Sequence, residues 1–296
     1  MSTDAPSQWE DSGLNVDQAR QARQHYPDFH PRQTLAVTGK AILLAGTYRG
    51  QPAVLKVLTD HARLWRERFS SETATYEAFT ATPPPVRTPA MLAPPASGLL
   101  LMERLSGQAA ARHRYPDTLL SAPATDALLG VATALGSWTA PAAFTPAIDY
   151  PQRIIRYGPQ GHGVLGADTV AALLRLYERV AAHARWRFAH GDLLPTNVLL
   201  TDTDSPAVLD WEYAGLYLPR YDHALLWIIL SDDPDLQARI ADGPDDDAFW
   251  LNVALLLARE IRIHCDEADS HPAIAARLNR LGPFAVEVSR EIAARL

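Results

Sequence analysis

Three short aliphatic runs, QTLAV (Gln33 to Val37), AILLAGTY (Ala41 to Tyr48) and PAVLKVL (Pro52 to Leu58), follow one another with only a few turn residues between them. Connections that short cannot hold a crossover helix, so consecutive strands must run antiparallel. The spacing predicts a meander with Lys56 inside its third strand. DHARLWRERFSSETATYEAFTA then reads as a helix, with Leu64, Phe69, Ala74, Tyr76 and Phe79 giving a rough apolar face. TPPPVRTP ends it, because proline lacks a backbone donor and restricts the residue before it. MLAPPASGLLLMERLSG (Met91 to Gly107) supplies two more short runs, for five strands and one helix over roughly residues 31–103.

Before the meander lies a polar arm and a helix, NVDQARQARQHY, for which Asn15 is the expected N-cap. From Ser106 onward helical patterns dominate, at roughly 123–138, 168–184, 222–231 and 247–264, with two short helices after His271. The exception is NVLLT and PAVLD, which flank a polar turn like a small hairpin. The expected class is α+β: residues 1–103 form an N-terminal lobe, 1–30 being its arm and helix, and residues 104–296 a mainly helical C-terminal lobe.

A chain of 296 residues, 47% hydrophobic, can bury cores in both lobes. The single cysteine, Cys265, can make no internal disulfide and fits no metal-ligand spacing, so a reducing compartment, the cytoplasm, is expected. The first residues lack a basic segment followed by an apolar run, and the longest apolar stretch, Ala224 to Leu230, is too short for a bilayer. Neither export nor membrane insertion is expected. The net charge of −7 is concentrated in residues 226–270, which hold eleven carboxylates against three arginines. Such a surface repels nucleic acid and attracts cations, or it is a solvated face that aids solubility.

The densest chemistry lies in FAHGDLLPTNVLLTDTDSPAVLDWE, Phe188 to Glu212. A carboxylate in a tight loop, Asp192, can accept a hydroxyl proton. The carboxamide of Asn197 and the carboxylate of Asp210 are the hard oxygen donors that Mg²⁺ prefers. Together they suit phosphoryl transfer, in which a protein positions a nucleophile and neutralises phosphate charge. Lys56 adds a phosphate-facing cation unless it merely snorkels to solvent, and Glu72 could hold its ammonium, with Glu67 and Glu77 as alternatives on the same helix. His190 reads as a residue that orders the loop by hydrogen bonding.

HGDLLPTN resembles the H-x-D-x-x-x-x-N catalytic loop of the protein-kinase-like fold, in the form used by the aminoglycoside phosphotransferase and choline kinase-like family. The resemblance runs in order from about residue 33 to 230. It implies that Asp192 is the catalytic base and that Asn197 and Asp210 hold magnesium. Lys56 and Glu72 match the strand lysine and helix glutamate of the nucleotide site. LLLMERLSG matches the hinge, where backbone groups of Glu103 and Leu105 would meet adenine. Asp222 matches an aspartate that braces the catalytic loop, although it could also be a plain N-cap. ATP or GTP and Mg²⁺ are the implied cofactors. Two departures stand out: no G-x-G-x-x-G is present, only VTGKA with Gly39 and Lys40, and Asp210-Trp211-Glu212 replaces Asp-Phe-Gly without an Ala-Pro-Glu segment. The first leaves the grip on the phosphates undefined, and the second points away from protein kinases and towards small-molecule acceptors.

The expected reaction is transfer of the ATP γ-phosphoryl group to a hydroxyl of a small molecule. The acidic segment at 232–269 suggests a cationic acceptor such as an aminoglycoside; a metabolite such as choline or a sugar is the alternative. A non-catalytic nucleotide-binding protein of the same fold is the competing class. A phosphoesterase would need further His/Asp clusters for two metals, which the sequence lacks.

Overall fold

The structure, a computed structural model, describes residues 9, 12–201, 205–267 and 272–296. Two compact units emerge: residues 1–108 with 199–214, and residues 109–198 with 215–296.

In the first unit, helix α1 (Val16–His25) starts at a capping box in which Asn15 accepts from Gln18 N–H and Gln18 returns a bond to the Asn15 N–H. Strands β1 (Phe29–Val37), β2 (Ala41–Tyr48), β3 (Gln51–Leu58) and β4 (Leu99–Glu103) form one antiparallel sheet in that order. The count is four rather than the expected five. Around the expected extra strand, the chain makes only isolated bridges, Met91 to Met102 and Ala96 to Leu99. Pro94 and Pro95 have no N–H to donate to a ladder, so pairing breaks off there. Trp9, Tyr26, Phe29, Leu44, Leu55 and Leu101 belong to one buried cluster.

Helix α2 (Arg63–Ala81) buries Phe69, Glu72, Thr75, Tyr76 and Phe79, whereas Leu64 and Ala74 of the expected face are exposed. The spacing of Phe69, Glu72, Tyr76 and Phe79 places a glutamate within the inward stripe.

Two short strands, β5 (Gln108–Ala109) and β6 (Arg187–Ala189), precede the hairpin of β7 (Val198–Leu200) and β8 (Ala207–Val208). Asp202 and Asp204 of its turn lie outside the described residues. Leu199 to Ala214 clusters with the first unit rather than with the helical residues that flank it in sequence. The attachment is local: Val208 N–H donates to Arg87 O at 2.8 Å, and the buried Trp211 meets Phe79 of α2 edge-on at 4.8 Å.

The second unit contains α3 (Ala122–Ser137), α4 (Tyr150–Tyr157), α5 (Ala167–Ala181), β9 (Gly215–Tyr217), α6 (Tyr221–Ile229), α7 (Pro234–Ala241), α8 (Asp246–Glu267) and α9 (Pro272–Ala294), with β6 and β9 paired antiparallel. Its core includes Leu128, Leu135, Tyr150, Leu173, Leu176, Leu225, Phe249 and Leu251. Helices α4 and α7 went unread in the sequence. Each begins with an Asp N-cap and a proline in the first turn, Asp149 with Pro151 and Asp233 with Pro234, which is a helix-start signature.

The two short helices expected at the end are one, α9, continuous through Pro283. Leu281, Val288 and Ile292 are buried on both sides of that proline. One uninterrupted apolar face offsets the roughly 3 kcal/mol that an interior proline costs. Among the described residues, no helix is long and apolar enough to cross a membrane.

Candidate active site

The first unit brings Lys56, Glu72 and Asp210 together. Lys56 Nζ donates to Glu72 Oε2 at 2.6 Å and to Asp210 Oδ1 at 2.9 Å. The lysine is 7% exposed and does not snorkel to solvent, and Glu72 is 1% exposed. Glu67 pairs instead with Arg63 on the exposed side of α2, and Glu77 is exposed. Burial alone would lower the Lys56 pKa, but the Glu72 and Asp210 carboxylates outweigh it and raise it, so the ammonium stays charged.

Asp210 has φ +63, in the left-handed region that aspartate tolerates better than most residues. A strained backbone at a charged residue is typical of functional sites. Glu212, two residues on, is buried and accepts from Lys40 Nζ at 2.5 Å; that ammonium also lies 5.1 Å from the Trp65 ring centroid. Lys40 therefore occupies the turn in which a glycine-rich loop was missing from the sequence. Glu72, Asp210 and Glu212 present carboxylate oxygens all within 4.8 Å of one another, a hard-oxygen donor set that fits a divalent cation.

At the end of β4, the Glu103 N–H donates to Ala90 O at 2.8 Å, and its carboxylate accepts from Arg87 at 2.7 Å and from Ala90 N–H at 3.3 Å. The N–H of Leu105 makes no hydrogen bond among the described residues. Of these two expected hinge residues, only Glu103 has its backbone donor engaged among the described residues.

In the second unit, the loop after β6 is held by Asp222. Its Oδ2 accepts from His190 N–H at 2.7 Å and its Oδ1 from Gly191 N–H at 3.0 Å. Asp222 is the second residue of α6, whose N-cap is Arg220, so it braces the loop and does not cap the helix. Burial raises its pKa, while His190 and the two backbone N–H groups oppose that rise. Gly191 has φ +81, a conformation that glycine adopts without penalty. His190 is fully buried, and its Nδ1 accepts from Asp192 N–H at 3.3 Å. Asn197 donates Nδ2 to Asp192 O at 3.1 Å, and its Oδ1 accepts from the Thr196 hydroxyl at 3.4 Å.

Four residues that the sequence reading missed surround Asp192. Its Oδ1 accepts from Arg259 Nη2 at 3.1 Å and from Arg114 Nη2 at 3.5 Å. Beneath them, the fully buried Glu260 accepts from Arg114 Nε and Nη2 at 3.1 and 2.7 Å, from Arg259 Nε at 3.1 Å and from Tyr115 Oη at 2.6 Å. The available signal was an Arg-Glu pair interrupting the apolar run VALLLAREI within α8.

Part of the acidic segment is engaged within the protein. Asp233 caps α7, Asp232 pairs with Arg277, Asp247 with Arg179, and Asp246 with Arg295. Asp235, Asp242 and Asp245 are exposed, and Asp269 lies outside the described residues.

The model of the phosphotransferase enzyme family matches residues 43–253. No curated protein matches the sequence significantly. Solved structures similar to this one include choline kinase LicA from Streptococcus pneumoniae, at TM-score 0.60 and 13% identity, covering 92% of this chain and 97% of that one. Another is a choline/ethanolamine kinase family protein from Mesorhizobium loti, at 0.60 and 19%, covering 94% and 98%. A third is a thermostable mutant of aminoglycoside phosphotransferase APH(4)-Ia in ternary complex with AMP-PNP and hygromycin B, at 0.62 and 15%, covering 92% and 97%. The fold is therefore the protein-kinase-like one that these enzymes share.

Proposed function

The chain belongs to the phosphotransferase enzyme family, and on that premise we propose that it transfers the γ-phosphoryl group of ATP to a hydroxyl of a small molecule. The observation that carries this reading is the buried Lys56 ammonium bonded to both Glu72 and Asp210. A lysine held charged in that way is ready to meet nucleotide phosphates. Leu105 N–H, with the Glu103 carbonyl, would bind the adenine edge.

In the transfer, Asp192 orients the acceptor hydroxyl and takes its proton as the new O–P bond forms. The bond between the γ-phosphorus and its bridging oxygen breaks, and ADP leaves with that oxygen. Asp210 and Asn197 would hold magnesium, which when bound offsets phosphate charge. Asp222 and His190 keep the loop in the conformation that presents Asp192. Together, Lys56, Asp192, Asn197 and Asp210 favour turnover over nucleotide binding alone.

An ADP-release assay over hydroxyl acceptors of differing charge, with Asp192→Ala as the blank, tests this. Acceptor-dependent ADP formation, absent in the variant and abolished by EDTA, is the expected result. Undiminished turnover in Asp192→Ala would overturn the base assignment.

A further inference from the structure

The arginine pair above Asp192 has hydrogen-bonding capacity that holding a carboxylate does not use. Arg114 and Arg259 engage Asp192 and Glu260 through Nε and Nη2 alone. Among the described residues, neither Nη1 donates a hydrogen bond, and neither is among the buried atoms that lack a partner. Each Nη1 therefore keeps some contact with solvent. Arg114 keeps 31% of its side chain exposed and Arg259 keeps 14%.

The carboxylates bonded to this pair are Asp192 and the buried Glu260, which balance the two guanidiniums. In the acidic segment, Asp232, Asp246 and Asp247 pair with other arginines and Asp233 caps α7. An ammonium on the acceptor would meet guanidiniums where it approached the base. An oxyanion would find two forked donors already held in place, the geometry that suits carboxylate and phosphate.

We infer that the acceptor carries an oxyanion, a carboxylate or phosphate group, close to the hydroxyl that is phosphorylated, and that Nη1 of Arg114 and Arg259 bind it. This rests on Asp192 being the residue that receives the hydroxyl. Because the same two arginines hold Asp192 through Nη2, the anion and the hydroxyl sit only a few bonds apart, as in a hydroxy acid or a polyol monophosphate. Glu260 and Tyr115 are positioning residues that keep both forks aimed.

The test uses the full chain, Mg-ATP and four acceptors on one three-carbon skeleton: glycerate, glycerol phosphate, glycerol and aminopropanediol. We expect kcat/KM for glycerate or glycerol phosphate to exceed that for the other two by at least about tenfold. In Arg114→Gln it should fall at least about tenfold more for the anions than for glycerol. Which anion is preferred separates a carboxylate site from a phosphate site. Equal or better turnover of glycerol or aminopropanediol, or a uniform loss in the variant, would overturn the inference while leaving the kinase reading intact.

A calorimetric titration of glycerate and glycerol phosphate into the Mg-ADP complex decides the matter if no acceptor turns over. Binding that disappears in Arg114→Gln supports the anion site, and absence of binding overturns it. Failure of Mg-ATP itself to bind would count against the kinase reading instead. If Arg114→Gln does not fold, the order of preference in the unmodified protein decides alone.

Discussion

Lys56 Nζ lies 2.6 Å from Glu72 Oε2, with both side chains almost entirely buried. An ion pair withdrawn so far from water is stable only while both partners remain, because losing one leaves an uncompensated buried charge. Lys56→Met should therefore destabilise the fold by about 3 kcal/mol or more. The double variant Lys56→Met/Glu72→Met should recover much of that loss, since an apolar pair needs no counter-charge. Urea unfolding of the three proteins checks this, and a double variant no more stable than Lys56→Met would contradict it.

Asp192 is presented by a loop whose backbone conformation does not depend on its carboxylate. Asp192→Asn should keep the melting transition and lose at least about a hundredfold in kcat. Single-turnover kinetics with thermal melts measures both quantities. A collapse in stability would instead mean that Arg114 and Arg259 need the negative charge to fold.

Asp222 accepts from two consecutive buried backbone N–H groups. Asp222→Ala leaves both unsatisfied, at a cost of about 1–3 kcal/mol each. We expect lower stability together with faster hydrogen exchange at His190 and Gly191, because those amides lose their acceptor and the loop loses its brace. Unchanged exchange at those amides would remove Asp222 from that role.

Glu260 supplies a pH signature. Burial alone would raise its pKa from 4.5, but Arg259 and Arg114 outweigh burial and hold it at about 2. As pH falls, the unfolded chain takes up this proton first. The stabilisation is therefore complete above pH 4.5 and is lost progressively towards about pH 2. Its size is on the order of 3 kcal/mol. In Glu260→Gln this contribution is absent, so the stability gap between the two proteins should narrow from about pH 5 to about pH 3 in urea melts. A gap independent of pH would show that Glu260 is not charged in the fold.

Much of this was legible in the letters because it depends on interactions a few residues apart. Turn chemistry between the aliphatic runs fixes the meander, Asn15 and Gln18 close a capping box, and His190, Asp192 and Asn197 share one loop. What failed locally also has local causes: Pro94 and Pro95 break off a fifth strand, and two-turn helices are easily overlooked behind their prolines. The choice of Glu72 over Glu67 and Glu77 was half visible, since it alone falls on the stripe of Phe69, Tyr76 and Phe79.

By itself, the sequence determined the fold class, the N-terminal meander and the loop that carries Asp192, through periodicity, turn residues and a short motif. Only the tertiary structure decided what surrounds that aspartate. Arg114 and Glu260 are 146 positions apart, and they meet because α8 packs where its apolar face is buried. Ion pairs between distant residues follow from such packing, which no local pattern encodes. For the same reason, part of the acidic charge that looked available in sequence, at Asp232, Asp246, Asp247 and Glu260, is paired with arginines in space, and Asp192 sits under guanidinium groups.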